Sequence, residues 1–183
     1  MPRALFALAF AAALSGCAHL APMPSGEPSP GGFELSGRVA VRYSGESATG
    51  RVQWRHADST DDLLITNPLG QGVARITRAG EQFELETSDG HRYSAPDAES
   101  LTAQVLGWSL PLHGLPQWVR AQPLPGDPAE IQRDSADRVA SLSQDGWHID
   151  YEAYAGERPS RLTLARPDLE IRLVIESWQA GDL

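Results

Sequence analysis

Apolar and polar residues alternate along most of the chain after residue 32, and this period of two restricts the fold more than any other feature. In the first such segment, residues 33–43, Phe33, Leu35 and Val41 fall on one face, and charged or hydroxyl-bearing residues fall on the other. Successive side chains of a strand point to opposite faces, so the pattern predicts a half-buried β-strand. Similar segments follow at close spacing, with an Asp-Gly pair at residues 89–90 as a hairpin signal.

The alternation is interrupted once, near the middle of the chain, by helical spacing. Six short strand segments precede the interruption and four follow it. Apolar residues from Ala98 to Val105 recur every three or four positions, with Ser94 or Asp97 as candidate N-caps, and a second short helix fits residues 112–119. Antiparallel meanders bury one face, and helices in mid-chain cover the open side of a curved sheet or partial barrel. The sequence therefore predicts a mainly β fold with a helical insertion.

The N-terminus has the features of a bacterial lipoprotein signal. Arg3 precedes an apolar run over residues 4–14 that is too short to span a bilayer, and a small Ser-Gly pair leads to Cys17, the only cysteine. This order resembles a lipobox, which predicts cleavage before Cys17 and a diacylglycerol on its sulfur. An ordinary signal peptide with an incidental cysteine is the alternative. Ala18 stands where an Asp would retain a lipoprotein at the inner membrane, which indicates the periplasmic face of the outer membrane.

These features divide the chain into three segments. Residues 1–16 are the predicted signal peptide, residues 17–32 a lipidated, proline-rich tether, and residues 33–183 one domain with a sizeable core. Proline-rich chains are extended and semi-rigid, so we expect the tether to let the domain stand off the membrane. Durable attachment takes more than one acyl chain, and a triacylated Cys17 provides it. With its sulfur acylated, the fold has no disulfide.

Charge and motif content argue against several functions. The chain carries 24 acidic and 15 basic residues, a net charge of −9, which argues against nucleic acid as a partner. Residues 45–50, GESATG, are one residue too long for a nucleophile elbow and lie between predicted strands. His148 and Asp150 share one strand face, but no other His or Cys lies near them in sequence. We therefore predict no catalytic residue, no metal and no cofactor.

Several local motifs, taken in order, resemble the LolB family of outer-membrane lipoproteins, which receive other lipoproteins from a periplasmic carrier. The motifs are the lipobox, residues 33–41 (FELSGRVAV), residues 67–70 (NPLG) and residues 106–112 (LGWSLPL) running on to Leu115 and Trp118. Their order and spacing are fairly specific. The resemblance covers nearly the whole mature chain.

The resemblance implies a fold and a set of partners. The fold is an unclosed antiparallel β-barrel of about 10–11 strands, covered by a helical lid and enclosing a hydrophobic cavity for acyl chains. The partners are a periplasmic lipoprotein carrier, acylated lipoprotein cargo and outer-membrane lipid, and the protein is expected to be a monomer. No covalent chemistry is implied.

Ten apolar residues are the candidate wall of the acyl-chain cavity. Apolar positions on the concave face of a curved sheet, beneath an apolar helix face, would form a pocket of the ligand-binding kind. The same residues would equally fill a solid core, and the sequence does not separate the two; the resemblance favours the cavity. The ten are Val41, Trp54, Phe83, Leu85, Leu101, Leu115, Trp118, Trp147, Leu164 and Leu173.

Residues 67–70 predict a type I turn, in which Asn is favoured at the first position, Pro at the second and Gly at the fourth. Leu69 then falls at the third position, where a tight turn between short strands offers no place to bury it. A single exposed leucine is common and by itself means nothing. The resemblance assigns Pro68, Leu69 and Gly70 to a protruding loop that puts cargo into the membrane.

The leading hypothesis is a lipid-anchored acceptor that takes lipoproteins from the carrier, holds their acyl chains and inserts them into the outer membrane. One alternative is an envelope lipoprotein with a filled core that acts as an assembly scaffold. Another is an anchored hydrolase that uses His148 and Asp150.

Overall fold

The computed structural model describes residues 20–23 and 26–181. The predicted signal peptide and the predicted anchor Cys17 lie outside the described residues. Within the described part, the strands are β1 (Phe33–Tyr43), β2 (Glu46–Ala57), β3 (Thr60–Thr66), β4 (Gly72–Ala79), β5 (Gln82–Thr87), β6 (Arg92–Ala95), β7 (Glu130–Arg133), β8 (Val139–Gln144), β9 (Trp147–Ala155), β10 (Arg158–Arg166) and β11 (Leu169–Ala180), and the helices are α1 (Ala98–Leu106) and α2 (Leu115–Trp118).

All of these strands belong to one antiparallel sheet, in the order β6-β5-β4-β3-β2-β1-β11-β10-β9-β8-β7. The first strand pairs with the last, from Phe33 opposite Ala180 to Tyr43 opposite Leu169. β6 and β7 form the two edges, and both helices lie in the connection between them. The prediction of an unclosed antiparallel sheet with a helical insertion is confirmed.

β1 has the predicted alternation and one position that only glycine fits. Phe33 and Val41 are buried, whereas Arg38 is exposed. A Cβ on Gly37 would lie 2.1 Å from the carbonyl oxygen of Val174 on β11, too close for any side chain. The register between the two strands shifts at this point, and such bulges bend a strand. Steric exclusion of any side chain therefore explains why the FELSGRVAV motif has glycine at this position.

β7 is the strand that the alternation did not predict. All four residues of Glu130–Arg133 are exposed, and the chain pairs only with β8 at this edge of the sheet. An edge strand without a buried face has no apolar period, because neither of its faces packs on the core. This strand brings the number in the described residues to eleven.

α1 begins at the predicted cap. The Asp97 carboxylate accepts a hydrogen bond from the backbone N–H of Ser100 at 2.7 Å. The helix ends at Gly107, whose φ of 83° is a left-handed conformation that favours glycine. Ala98 and Leu101 are buried on the face that packs on the sheet. The predicted helical spacing is thus the spacing of the packed face.

α2 spans Leu115–Trp118 and is shorter than the predicted span of residues 112–119. Pro116 has no N–H to donate to the carbonyl oxygen of Leu112, so the helix does not begin there. The fully buried Trp118 donates its indole N–H to Gln144 Oε1 at 3.1 Å. The Tyr151 hydroxyl donates to the carbonyl oxygen of Trp118 at 2.8 Å. These two bonds hold α2 on β8 and β9.

The part of the core around α2 is solidly packed, and we call it the filled region. The rings of Trp118 and Trp147 lie 6.2 Å apart, centroid to centroid. Burial raises the pKa of the Tyr151 phenol, so this hydroxyl remains a neutral donor. The filled region consists of Trp118, Leu142, Gln144, Trp147, Ile149 and Tyr151, all of them buried.

The described part of the tether lies against the sheet. Arg55 donates to the carbonyl oxygen of Gly26 at 3.1 Å, and Arg120 donates to that of Gly31 at 2.7 Å. Leu20 is 6% exposed. The sequence predicts that this segment is a spacer that lets the domain stand off the membrane. The difference has a physical reason. An extended chain presents free carbonyl groups, and Arg55 on β2 and Arg120 after α2 donate to them.

Candidate functional site

A cavity of about 250 Å³ lies between the inner face of the sheet and the segment that follows α1. We call its lining the hollow region. It is formed mainly by β1, β2, β3 and β11 on one side and by residues 106–115 on the other. The lining residues are Leu35, Val39, Val41, Ala48, Thr49, Gly50, Val52, Trp54, Leu63, Ile65, Thr66, Val73, Leu106, Trp108, Leu110, Leu115, Leu164, Ile171 and Leu173.

The cavity exists because small residues face one another across neighbouring strands. Val39 on β1 is paired with Gly50 on β2, and Val41 is paired with Ala48. Interiors are normally packed to the density of organic crystals, so small residues at facing positions leave space unless a neighbour fills it. Apart from two threonines, the lining side chains are aliphatic or tryptophan. A cavity of this chemistry suits an apolar ligand.

The structure brings five of the ten predicted wall residues together at the cavity. Leu85 and Leu101 lie instead in the packed core where α1 meets β5, and Phe83 lines a separate cleft beside α1. Alternation indicates the face on which a side chain lies, but not whether the space in front of it is filled. The five at the cavity are Val41, Trp54, Leu115, Leu164 and Leu173; Trp118 and Trp147 belong to the filled region.

The roof of the hollow region is the segment after α1. Leu106 and Trp108 are half-buried, and Leu110 is buried. The Thr102 hydroxyl oxygen accepts a hydrogen bond from the backbone N–H of Leu110 at 2.8 Å, which ties the roof to α1. Sequence reasoning left these three roof residues out of the wall. The available signal was the motif at residues 106–112, which contains all of them.

A buried charged cluster lies behind the cavity wall. Asp61, only 4% exposed, accepts hydrogen bonds from the indole N–H of Trp54 at 2.9 Å and from Arg78 Nε at 2.5 Å. His56 Nδ1 lies 2.8 Å from the same carboxylate. The pairing of β2 with β3 sets His56 opposite Asp61. The cluster fixes the orientation of the Trp54 ring, which lines the cavity.

The hairpin between β3 and β4 presents Leu69, which is 86% exposed. The Gly70 N–H donates to the Asn67 carbonyl oxygen at 2.9 Å and closes the four-residue turn. The Asn67 side chain accepts from the N–H groups of Leu69 and Gln71 at 2.9 and 3.0 Å, and donates to the Gln71 amide oxygen at 2.8 Å. These bonds hold the tip in one conformation with its leucine in solvent.

The polar groups behind the hydrolase alternative lie on the outer face of β8 and β9. His148 Nε2 is 3.2 Å from Asp150 Oδ1, and both side chains are about half exposed. His148 Nδ1 is 2.8 Å from Ser143 Oγ, a contact that follows from the direct pairing of these two residues. Within the described part of the chain, no group of three or more His, Cys, Asp or Glu residues is arranged to hold a metal ion.

The open antiparallel sheet, its apolar cavity and its helical cover define the chain as an open half-barrel protein. A LolA superfamily protein from Nitrosomonas europaea has a similar fold, with a TM-score of 0.50 and 14% identity over 82% of this chain and 87% of that chain. Residues 31–178 match the family model described as Outer membrane lipoprotein LolB. The chain belongs to the LolB family.

Relatives at higher identity carry the same family description. The Outer-membrane lipoprotein LolB of Thiobacillus denitrificans is 42% identical over 173 residues, which cover 92% of this chain and 93% of that protein. The Outer-membrane lipoprotein LolB of Chromobacterium violaceum is 36% identical over 186 residues, covering 98% of this chain and 100% of its own length. Of the helices in residues 20–23 and 26–181, none has both the length and the apolarity to cross a bilayer.

Proposed function

We propose that this protein is a lipid-anchored acceptor that takes lipoproteins from a periplasmic carrier, holds their acyl chains in the hollow region and inserts them into the outer membrane. The observation that carries the proposal is an unfilled apolar cavity in the same domain as a rigid hairpin with an exposed leucine. The relatives named as outer-membrane lipoproteins support the location. In this proposal Cys17 carries the lipid anchor.

The cavity would hold acyl chains through the hydrophobic effect alone. Each methylene moved from water into apolar surroundings contributes about 0.8 kcal/mol, so a long chain binds without any specific polar contact. The volume of about 250 Å³ lies just below the ~300–1,000 Å³ of typical ligand sites. We therefore expect the roof to move when cargo enters. Trp108 at its centre is only half-buried, which lets it shift without opening the packed core.

The Leu69 hairpin would act in delivery rather than in reception. Moving a leucine side chain from water into lipid gains about 1.5–3 kcal/mol. That is too little to anchor the domain, but enough to bias the hairpin toward the bilayer once Cys17 holds the protein nearby. Pro68 and Gly70 shape the turn that presents Leu69.

The anchor and the fold are separable in this proposal. Replacing Cys17 by Ala behind a cleavable secretory signal should give a soluble periplasmic domain, because no described strand pairing involves residues before Phe33. Circular dichroism and a cooperative thermal transition are the measurements. An insoluble or unfolded product would mean that the domain needs its lipid to fold.

We assign no catalytic step, metal or cofactor to this protein. The Ser143–His148 contact follows from the pairing of β8 with β9, and His148 and Asp150 are exposed neighbours two residues apart on one face of β9. We expect His148→Ala to transfer lipoprotein at the normal rate. Loss of activity in this variant with acyl binding intact would favour the hydrolase alternative instead.

The test of acyl binding compares two neighbouring residues on β2. Ala48 lines the cavity and is exposed at its mouth, whereas Ser47 precedes it and points to the opposite face. Ala48→Trp should block binding of a fluorescent triacylated lipopeptide to the soluble domain, and Ser47→Trp should leave it unchanged. Failure of the unmodified domain to bind the lipopeptide would favour the scaffold alternative.

A further inference from the structure

The first described residues of the tether occupy a groove on the outer face of the sheet. Leu20 packs against Gly72 at the start of β4, where an added Cβ would lie 2.9 Å from both Cβ and Cδ1 of Leu20. Leu64 points outward from β3, since its neighbours Leu63 and Ile65 line the cavity on the inner face. Leu64 nevertheless is only 6% exposed and lines the same groove as Leu20. The tether thus covers an outward leucine of the sheet.

Hydrogen bonds continue this contact across the outer face toward β1. Arg75 on β4 donates to the carbonyl oxygen of Ala21 at 3.4 Å. An ion pair with Asp62, at 2.5 Å, holds the Arg75 guanidinium in place. Further along, Arg55 on β2 binds the carbonyl oxygen of Gly26. The tether is therefore held at Leu20 and Ala21 as well as where it enters β1.

The groove adjoins the hairpin that carries Leu69. Gly72 follows Leu69 by three residues, and Gly70 lines the groove together with Leu20. Cys17 precedes Leu20 by three residues, so chain connectivity keeps their Cα atoms within about 11 Å. If it were held only at β1, an extended proline-rich tether of the 16 residues from Cys17 to the start of β1 would reach about 50 Å.

We propose that residues 20–23 are a strap that holds the lipid-anchored end of the chain beside the Leu69 hairpin, so that anchor and hairpin meet the same patch of bilayer. The inference rests on the proposed function for the role of Leu69, and adds that the strap sets the orientation of the domain on the membrane. Effective concentration falls as about the −3/2 power of tether length. Reducing the number of residues between Cys17 and the nearest held residue from 16 to three therefore raises the contact frequency of the hairpin on the order of tenfold.

The test measures hairpin insertion without any cargo. A Leu69→Cys variant of the full, acylated protein is labelled with an environment-sensitive apolar fluorophore and reconstituted in vesicles of phosphatidylethanolamine and phosphatidylglycerol. Because the sulfur of the one native cysteine is acylated, the new thiol is the labelling site. We expect a blue-shifted, lipid-inserted signal with the strap intact, and a several-fold smaller inserted fraction with Leu20→Ser.

Two further variants test the groove from both sides. Gly72→Val places atoms where Leu20 now packs, without changing the tether, and should reproduce the loss seen with Leu20→Ser. Leu20→Met keeps an apolar side chain of similar volume and should retain the inserted signal. An inserted fraction that is the same in Leu20→Ser, Gly72→Val and the parent protein would overturn the strap.

Failure of the strap and failure of the proposed function give different results. In the lipoprotein transfer assay, Leu20→Ser should slow delivery by the acylated protein several-fold. The same substitution should not change delivery by the soluble Cys17→Ala domain, because only the acylated form has an anchor to position. Equal slowing in both forms would place Leu20 in the fold and refute the strap. Absence of any transfer by the parent protein, with insertion still dependent on Leu20, would refute the acceptor function and leave the strap standing.

Discussion

The hollow region and the filled region lie on the inner face of the same sheet, but the apolar cavity is lined by the hollow region and by none of the six residues of the filled region. In the filled region large rings meet, and Trp118 is fixed by Gln144. In the hollow region two neighbouring facing pairs of β1 and β2 are small, Val39 opposite Gly50 and Val41 opposite Ala48. Both regions are mainly apolar, and their strands follow the same alternation. The comparison shows that side-chain volume at facing positions, rather than hydrophobicity, determines where this fold retains space.

The largest expected effect is the loss of Trp118 from the filled region. Trp118→Ala removes a fully buried ring, and such truncations cost about 3–5 kcal/mol of unfolding free energy. Urea unfolding measures the loss. The folded fraction should bind acyl chains with unchanged affinity, because Trp118 does not line the cavity. A stable Trp118→Ala variant with weakened acyl binding would show that the filled region and the hollow region form one binding site.

Asp61 contributes both to the stability of the fold, through Arg78, and to the shape of the hollow region, through Trp54. Asp61→Asn leaves Arg78 without its anionic partner, and breaking a buried pair costs about 3–5 kcal/mol. Since the carboxylate also fixes the Trp54 ring, acyl affinity should fall several-fold, unlike in Trp118→Ala. Thermal unfolding and lipopeptide titration give the two readouts.

The neighbouring Asp62 is the matched control for Asp61. It pairs with Arg75 on the outer face, where pairs nearer to solvent contribute about 1 kcal/mol or less. Asp62→Asn should therefore leave acyl affinity intact with a small loss of stability. Equal effects of the two substitutions would show that the Asp61 cluster has no special link to the cavity wall.

Enlarging a side chain should have opposite consequences in the two regions. Leu142→Phe in the fully buried filled region overpacks the core and should cost about 1–3 kcal/mol, with acyl binding retained. Val39→Phe extends into the cavity, and stability should change by less than about 1 kcal/mol while acyl binding is lost. If Val39→Phe destabilises the domain as much as Leu142→Phe does, the hollow region has no usable space.

The smallest effect on stability is expected at the hairpin tip. Leu69→Glu changes a side chain that is 86% exposed, so stability should stay within about 0.5 kcal/mol. The variant should accept labelled lipoprotein from the carrier and fail to pass it to liposomes. A two-stage transfer assay scores both fractions, with Leu69→Met as the apolar control. Normal delivery to liposomes by Leu69→Glu would show that the hairpin has no part in delivery. Failure to accept lipoprotein from the carrier would show that the hairpin contacts the carrier instead.

The two regions also differ in how well the sequence predicts them. Alternation identifies the inward face of β1 because every second residue from Phe33 to Val41 is buried or lines the cavity. It does not distinguish Leu85, in solid core, from Leu164, at the cavity, since both are apolar inward residues. That distinction depends on which side chains lie opposite, which is a property of register and of the path of residues 106–115.

Two further features depend on tertiary contacts that have no local sequence pattern. Leu20 lies in a proline-rich segment without periodicity, and only the groove beside Gly72 explains its burial. β7 is exposed on both faces, so no apolar spacing marks it. By contrast, the turn at Leu69 is set by its own residues, and the structure contains the closing hydrogen bond that those residues predict.

The most direct test of the central claim is the location of a bound acyl chain. A lipoprotein with a photoactivatable diazirine in one acyl chain is loaded onto the protein, irradiated and digested, and the modified residues are identified by mass spectrometry. We predict labelling at the inward positions of β1, β2 and β11, such as Val39, Ala48 and Ile171, and at Trp108 in the roof. Labelling confined to the outer face or to the filled region would contradict the assignment of the hollow region as the acyl-chain site.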